Sequence, residues 1–294
     1  SRAVSPLSQG WTGFSANSSG LLGRVELLTE QKVGLAMDLP IKKPPFLVVG
    51  NGPSVNRLRI LEKETRKWHI GVCNMFAYYS PSFLGFPRFY YLADPAYWNI
   101  NDYDGQESLF GLIGERFPFA TLVLPRNAQP IVQKHIQYNN MRLYDPRPEI
   151  SVYHNGFYEH FSASSNYMPG VQTVTHLMLY HAIALGYKQI YLVGIEMDDW
   201  KNVKGNLDGI QASCYSHYYD DQKPDTSHGR IFRPKNPDTH LAEYDYLRLM
   251  EDGLRAVKGF YNLALLARSL NIEVINLSVE SWLDCFPKID PSSL

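Results

Sequence analysis

Residues 46–54 read Phe-Leu-Val-Val-Gly-Asn-Gly-Pro-Ser, an apolar run that ends in residue types suited to binding an anion. Gly50 and Gly52 can adopt backbone angles that are closed to other residues, and Pro53 stiffens the exit from the turn. Ser54 is placed to cap a helix, so we expect free backbone N–H groups and the positive end of a helix dipole here. The segment predicts either a phosphate-binding turn or a tight strand-to-helix turn without a ligand, since both need the same glycines.

The spacing of this turn excludes two common nucleotide-binding motifs. The turn lacks the lysine of a P-loop, and its glycines do not follow the G-x-G-x-x-G pattern of dinucleotide-binding folds. The turn therefore indicates neither an ATPase nor a dehydrogenase.

Polar residues follow several predicted strands at the point where each strand ends. These residues are Asn51, Asn74, Asp94, and Glu196 with Asp198 and Asp199. Asparagine can hydrogen-bond a ribose, base or sugar hydroxyl without adding charge beside a phosphate. Asn and Asp are also ordinary turn and cap residues. The occurrence of such polar residues after four different strands, all on one edge of a sheet, favours a binding site.

A second unusual segment, residues 214–221, reads Cys-Tyr-Ser-His-Tyr-Tyr-Asp-Asp and has no clear periodicity. His217 can take a proton near neutral pH. The phenols of Tyr215, Tyr218 and Tyr219 can donate hydrogen bonds to a departing phosphate. The segment predicts a functional loop, with a tyrosine-rich surface loop as the alternative.

Strand-like and helical segments alternate from residue 46 onward, which predicts an α/β fold with a doubly wound, mainly parallel, Rossmann-like sheet. After the first strand, the predicted strands span residues 69–73, 89–93, 121–124, 149–153, 189–193 and 273–277. Apolar residues recur at helical spacing over residues 173–185 and 241–270, and Gly186 is placed to end the first of these helices. In such a sheet, binding residues gather at the carboxyl ends of the strands.

The composition excludes several classes of protein. The 294 residues include 28 basic and 29 acidic ones, so a net charge of -1 leaves no electrostatic signature of a nucleic-acid partner. No apolar run reaches the length of about 18 residues that a membrane span needs. Three scattered cysteines form neither a disulfide framework nor a C-x-x-C metal pair, which favours a reducing compartment and predicts no metal site.

The chain divides into two parts by composition. Residues 1–45 are rich in Ser and Gly and predict an N-terminal extension, and residues 46–294 predict a single α/β domain. Residues 201–236, which hold the tyrosine-rich segment, are expected to form a lid that closes over a substrate and excludes water.

The motifs at residues 50–54, at Cys73-Asn74 and across residues 182–196 resemble those of bacterial family-42 glycosyltransferases, α-2,3-sialyltransferases that use CMP-sialic acid. Residues 173–175 and 275–287 are similar to the wider MptE-like superfamily, which includes archaeal hydroxymethylpterin diphosphokinases. The first resemblance implies the GT-A-type sialyltransferase variant of the Rossmann-like fold.

The same resemblance implies roles for individual residues. It places Asn51 and Ser54 at the nucleotide phosphate and ribose, and Asn74 at the nucleotide or donor sugar. Asp94 stands where the sialyltransferases have an asparagine before proline. Their Thr-Ser-Gly motif has no clean match, and the nearest residues are Pro169, Gly170 and Thr173.

Three residues are candidates for the catalytic base. The family has a His-Tyr-x-x-His run whose first two residues match His217 and Tyr218, but the second histidine, the base in those enzymes, is replaced by Asp221. His217 is the preferred candidate, and Asp221 and His228 are the alternatives.

The function that these features favour is inverting transfer of an acidic sugar, such as sialic acid, Kdo or a related nonulosonic acid, from a CMP-activated donor to a glycan or glycolipid hydroxyl in polysaccharide biosynthesis. The leaving phosphate is expected to be stabilised by the tyrosines and by the turn at residues 50–54, without a metal cofactor. The resemblance implies a cytoplasmic enzyme and allows peripheral contact with the inner membrane and a homo-oligomer.

Two other functions remain open. One is a pterin diphosphokinase that uses ATP and Mg²⁺, with carboxylates from Asp94, Glu196 and Asp198 as metal ligands. The other is a non-catalytic relative that binds a nucleotide or a glycan, which the replacement of the family's histidine by Asp221 would fit.

Overall fold

The computed structural model describes residues 43–98, 106–135, 138, 140–161, 167–198, 203–206, 209–212, 218, 230–232, 234–236, 241–242 and 246–294. The strands are β1 (Phe46–Val49), β2 (His69–Cys73), β3 (Phe89–Tyr91), β4 (Thr121–Pro125), β5 (Met141–Ser151), β6 (Tyr167–Gly170), β7 (Gln189–Val193), β8 (Val203–Asn206), β9 (Gly209–Ala212), β10 (Arg230–Phe232), β11 (Pro234–Asn236), β12 (Leu241–Ala242) and β13 (Glu273–Asn276). The α-helices are α1 (Glu62–Thr65), α2 (Phe76–Tyr79), α3 (Gln106–Arg116), α4 (Gln129–His135), α5 (Val174–Ala184) and α6 (Tyr246–Ser269).

One eight-stranded sheet forms the centre of the fold. Its strand order is β13-β7-β1-β2-β3-β4-β5-β6, and every neighbouring pair is parallel. The prediction of an α/β fold with a doubly wound, mainly parallel, Rossmann-like sheet is confirmed.

Strand β1 shows why the sheet is covered on both faces. All four of its residues are fully buried. Phe46 and Val48 belong to a core that includes α5 and α6, whereas Leu47 and Val49 belong to a second core with α3. A strand that is buried on both faces is a continuous apolar run without polar alternation, which is the pattern of residues 46–49.

The strand order reverses next to β1. The chain first builds the sheet outward from β1 through β2 to β6, and then returns through α5 to β7, which pairs with the other side of β1. The carboxyl ends of β1 and β7 therefore form a topological switch point, the position at which open α/β sheets bind ligands.

Most predicted elements match the structure, and the differences have local causes. Strand β5 begins at Met141, well before the predicted strand at 149–153. The sequence pattern does not predict the earlier part, because the exposed middle residues carry charges and prolines instead of an alternating pattern. The helix predicted at 241–270 begins only at Tyr246, since Leu241–Ala242 forms β12. The sequence pattern does not predict β6 or α3. Gly186 follows α5 with a φ of 77°, which confirms its predicted role at the helix end.

Five short strands lie within or just after the predicted lid. Strands β8, β9 and β10 form an antiparallel sheet, and β11 pairs with β12. The closing movement of the lid stays a prediction, and all but the last three residues of the predicted extension (1–45) lie outside the described residues. Within the part of the chain that the structure describes, no helix combines the length and the hydrophobicity needed to cross a membrane.

Helix α5 is buried along nearly its whole length and contains two histidines. Nε2 of His176 donates a hydrogen bond to the carbonyl oxygen of Ala256 at 2.8 Å, and Nδ1 of His181 lies 2.7 Å from the hydroxyl oxygen of Tyr91. Burial lowers the pKa of His176 to about 4. Burial, assisted by the charge of Arg142, lowers the pKa of His181 to about 3. Both imidazoles are therefore neutral at pH 7.

The free energy of unfolding is expected to fall as the pH drops below about 6.5, because histidines of the unfolded chain then take up protons that the folded state excludes. Each histidine contributes a slope of up to about 1.4 kcal/mol per pH unit until its folded-state pKa is reached. The variant His181→Gln keeps a polar group beside Tyr91 but does not titrate. Urea unfolding between pH 7 and pH 5 should show a clearly smaller slope for this variant.

The matched control for this prediction is Asn127→Gln, which changes an exposed side chain that does not titrate and should leave the pH dependence of unfolding as it is in the parent protein. A slope in His181→Gln equal to that of the parent would contradict the assignment of His181 as a buried neutral group.

Candidate functional site

The backbones after β1 and β7 are in direct contact at the switch point. The N–H of Gly50 donates to the carbonyl oxygen of Val193 at 2.8 Å, and the N–H of Gly52 donates to that of Gly194 at 3.0 Å. A Cβ atom on Gly50 would lie 2.2 Å from the carbonyl oxygen of Gly194, and a Cβ on Gly194 would lie 2.8 Å from the carbonyl of Gly50. Gly194 also has a φ of 71°, so two glycines are needed here for close approach.

Two serine hydroxyls join three loops around this contact. The Oγ atoms of Ser54 and Ser278 lie 2.7 Å apart, and the N–H of Gly194 points at both, at 2.9 and 3.1 Å. The N–H of Ser278 donates to Oδ1 of Asn276 at 3.0 Å. The loops after β1, β7 and β13 are therefore held by one hydrogen-bond network.

The predicted capping role of Ser54 is wrong. The helix that follows the turn is a 3-10 helix, Pro53–Leu61, with Gly52 at its N-cap, Pro53 at its first position and no side-chain cap. The Ser54 hydroxyl instead takes part in the network with Ser278 and Gly194, which ties the start of the helix to the two neighbouring loops.

The carboxylate of Glu196 occupies the start of this helix. Its Oε1 accepts the N–H of Ser54 at 2.9 Å, and its Oε2 would lie 1.4 Å from a Cβ on Gly52, so the carboxylate lies directly against the turn. Burial raises the pKa of Glu196, and the hydrogen bonds from Ser54 act in the opposite direction. The expectation of free N–H groups is therefore wrong for Gly50, Gly52 and Ser54, whereas phosphate binding by the turn stays a prediction.

Two neutral acceptors lie at the carboxyl ends of β1 and β2. The Oδ1 atoms of Asn51 and Asn74 are buried, and neither has a hydrogen-bond partner among the described residues. Asn74 has a φ of 53°, and the hydroxyl of Tyr90 holds this turn by donating to the Asn74 carbonyl at 2.5 Å and accepting the N–H of Ala77 at 3.0 Å. Buried oxygens of this kind need donors, such as the hydroxyl or amino groups of a ligand.

Tyr218, the one residue of the tyrosine-rich segment among the described residues, lies at the same turn. Its N–H donates to the carbonyl oxygen of Asn51 at 3.0 Å, and Nδ2 of Asn56 donates to the carbonyl oxygen of Tyr218 at 3.2 Å. Its ring is buried near that of Phe76, and burial raises the pKa of its phenol, which therefore stays protonated at neutral pH. The structure does not describe Tyr215, His217, Tyr219, Asp221 or His228, and their predicted roles stay predictions.

The remaining predicted residues lie further along the edge of the sheet. Asp94 is exposed after β3, where its carbonyl oxygen accepts the N–H of Tyr97 at 3.1 Å. Gly170 ends the edge strand β6, and Thr173 caps α5 by accepting the N–H of His176 at 3.3 Å. The described hydrogen bonds bring together Asn51, Ser54, Glu196 and Tyr218 but do not link Asp94, Gly170 or Thr173 to them.

Sequence analysis missed the wall of the site that follows β13. A cleft of about 110 Å³ opens beside the helix start, and it is lined by Pro53, Ser54, Arg57, Glu196, Ser278, Val279 and Glu280. An ion pair between Arg57 and Glu280 lies at this cleft. The signal that could have identified this wall is a polar residue at the end of a predicted strand, as in the other loops. Asn276 and Ser278 are such residues.

No protein-family model and no curated protein matches this chain. Among solved structures, it is similar to the MAf glycosyltransferase of Magnetospirillum magneticum AMB-1, with 18% identity, a TM-score of 0.48, and coverage of 86% of this chain and 35% of that one. The chain thus spans about a third of the length of that protein.

Two further structures are sialyltransferases from Campylobacter jejuni. CstII, in complex with the substrate analogue CMP-3FNeuAc, has 18% identity and a TM-score of 0.45, over 83% of this chain and 86% of that one. The monofunctional α-2,3-sialyltransferase Cst-I has 16% identity and a TM-score of 0.46, over 88% of this chain and 84% of that one. At these values the comparisons assign no activity to this chain.

The variant Gly194→Ala is expected to destabilise the protein by more than Gly186→Ala. Both glycines have positive φ angles, 71° and 77°, so both variants incur the backbone strain of about 1–2 kcal/mol for an L-residue. Only Gly194 has a neighbouring backbone in the path of the new Cβ, whereas nothing lies within 4 Å at Gly186. Urea unfolding of the two variants measures the difference, and equal losses would show that the contact with Gly50 relaxes without cost.

Proposed function

We propose that this protein is an inverting glycosyltransferase that moves an acidic sugar from a CMP-activated donor to a hydroxyl group of a glycan or glycolipid. The observation that carries the proposal is the pair of buried carboxamide oxygens of Asn51 and Asn74 beside the switch point, neither of which has a hydrogen-bond partner among the described residues. The motif resemblance of residues 50–54, 73–74 and 182–196 supports the choice of donor.

Two buried acceptors without charge fit a nucleoside better than a bare phosphate. A phosphate offers mainly acceptor oxygens, whereas cytosine carries an amino group and ribose carries hydroxyls that can donate to Asn51 and Asn74. Asn51 and Asn74 follow the neighbouring strands β1 and β2. Neighbouring strands lie about 5 Å apart in a sheet, so one nucleoside can reach both oxygens. A ligand that satisfies both oxygens removes a free-energy penalty that the empty site incurs.

The tyrosine-rich segment supplies the reacting groups in this proposal. The hydrogen bond between Tyr218 and Asn51 anchors this segment beside the nucleotide site. His217 removes the proton of the acceptor hydroxyl as its oxygen bonds to the anomeric carbon from the face opposite the phosphate. The bond from that carbon to the phosphate oxygen breaks, and CMP leaves with the electron pair while phenols of the segment donate to the phosphate.

The asparagine pair is tested by nucleotide binding. Asn51→Ala and Asn74→Ala should each weaken CMP binding about tenfold or more, because each removes a buried hydrogen bond worth about 1–3 kcal/mol. Isothermal titration without metal measures the change. Asn127→Ala, which truncates an exposed asparagine after β4, is the matched control and should bind CMP as the parent does.

A ligand panel separates the rival functions. Thermal shift with CMP, CDP, GDP and ATP plus Mg²⁺ should show stabilisation by CMP in the absence of metal. A response to ATP with Mg²⁺ alone would refute the proposal and favour a pterin diphosphokinase. CMP binding without sugar transfer or donor hydrolysis would favour a non-catalytic binder.

The base is tested by separate replacement of the candidates. His217→Ala should lower kcat about 10²–10⁴-fold with little change in CMP affinity, because a general base acts only in the transition state. Asp221→Asn and His228→Ala should have much smaller effects. If Asp221→Asn or His228→Ala abolishes transfer while His217→Ala retains it, the base is the residue that was replaced in the inactive variant.

A further inference from the structure

The charged side chain of Glu196 is only 9% exposed. It lies against the turn at residues 50–54, which would otherwise favour an anionic ligand. The start of a helix attracts negative charge because its first N–H groups lack partners in the helix and its dipole is positive there. At this helix start, the Ser54 N–H donates to the Glu196 carboxylate, and Pro53 has no N–H to offer. The carboxylate therefore occupies the place at which a phosphate would bind.

Two hydrogen bonds to backbone carbonyls hold the chain at Ile195 and Glu196 beside the turn. The N–H of Trp282 donates to the carbonyl oxygen of Glu196 at 2.7 Å, and the hydroxyl of Ser281 donates to that of Ile195 at 2.7 Å. The absence of a side chain on Gly52 leaves the space that the carboxylate fills.

We infer that Glu196 is a specificity-determining residue of the nucleotide site, whose carboxylate fills the anion position at the helix start and so rejects nucleotides that carry more than one phosphate. The inference rests on the proposed function in one respect, since it takes the nucleoside to bind at Asn51 and Asn74. The single phosphate of a CMP-linked donor then lies over the turn beside Asn51. A second phosphate extending from it towards the helix start would meet a fixed negative charge and find no free Ser54 N–H.

The selectivity is tested with two variants of Glu196 and one control. Glu196→Ala removes the charge and opens the space, and Glu196→Gln removes the charge while keeping the size of the side chain. Glu273→Gln removes an exposed carboxylate outside the cleft, at the start of β13, where it accepts a hydrogen bond from Gln189. Isothermal titration of each protein with CMP, CDP and inorganic pyrophosphate, without metal, gives the affinity ratios.

The expected result is that the parent and Glu273→Gln prefer CMP over CDP, and that Glu196→Ala raises the affinity for CDP relative to CMP at least tenfold. Pyrophosphate should bind Glu196→Ala at least tenfold more tightly than the parent. Glu196→Gln, whose isosteric side chain guards against misfolding, should shift the CDP to CMP ratio in the same direction. Unchanged ratios in the Glu196 variants, or an equal change in Glu273→Gln, would overturn the inference.

Failure of the two proposals can be told apart. If none of the proteins binds CMP, the proposed function fails, but the pyrophosphate titration still decides whether Glu196 occupies an anion position. If all of them bind CMP and the Glu196 variants do not gain pyrophosphate or CDP affinity, the proposed function stands and the role of Glu196 is refuted.

Discussion

The backbone contact between Gly50 and Gly194 is the constraint on which the candidate site depends. It joins the ends of β1 and β7, the neighbouring strands between which the order of the sheet reverses. Because no side chain separates the two turns, the hydroxyls of Ser54 and Ser278 can both reach the Gly194 N–H. Three loops from distant parts of the chain thereby share one polar network, and a larger residue at either glycine would separate them.

The second consequence of this contact is electrostatic. Once the two turns touch, the chain after Gly194 delivers the Glu196 carboxylate to the helix start, where it satisfies the Ser54 N–H. The charge that the helix dipole favours is thus supplied by the protein. The carboxamide oxygens of Asn51 and Asn74 follow the neighbouring strands β1 and β2 and have no hydrogen-bond partner in the described part of the chain. The carboxyl ends of β7, β1 and β2 therefore combine a carboxylate bound to the helix start with two neutral buried acceptors.

Much of the fold could be predicted from the sequence because most of the parallel strands and α5 are buried. Such elements are uninterrupted apolar runs bounded by glycine or polar residues, as at residues 46–49 and 189–193. The pattern fails where an element is exposed or short. Strand β5 carries charged residues and prolines in its exposed middle part, and the strands of the predicted lid have few residues each, so neither shows a recognisable period.

The sequence by itself determined the α/β class of the fold, the glycine-rich turn after β1 and the polar residues that end neighbouring strands, because each is set by local backbone and burial preferences. Only the tertiary structure decided what those residues contact. A carboxylate 142 residues away from Ser54 in the chain fills the helix start, and Ser278, 224 residues away from it, joins the same network. Local sequence cannot encode such contacts, because they depend on which strands become neighbours when the chain crosses back to pair β7 with β1.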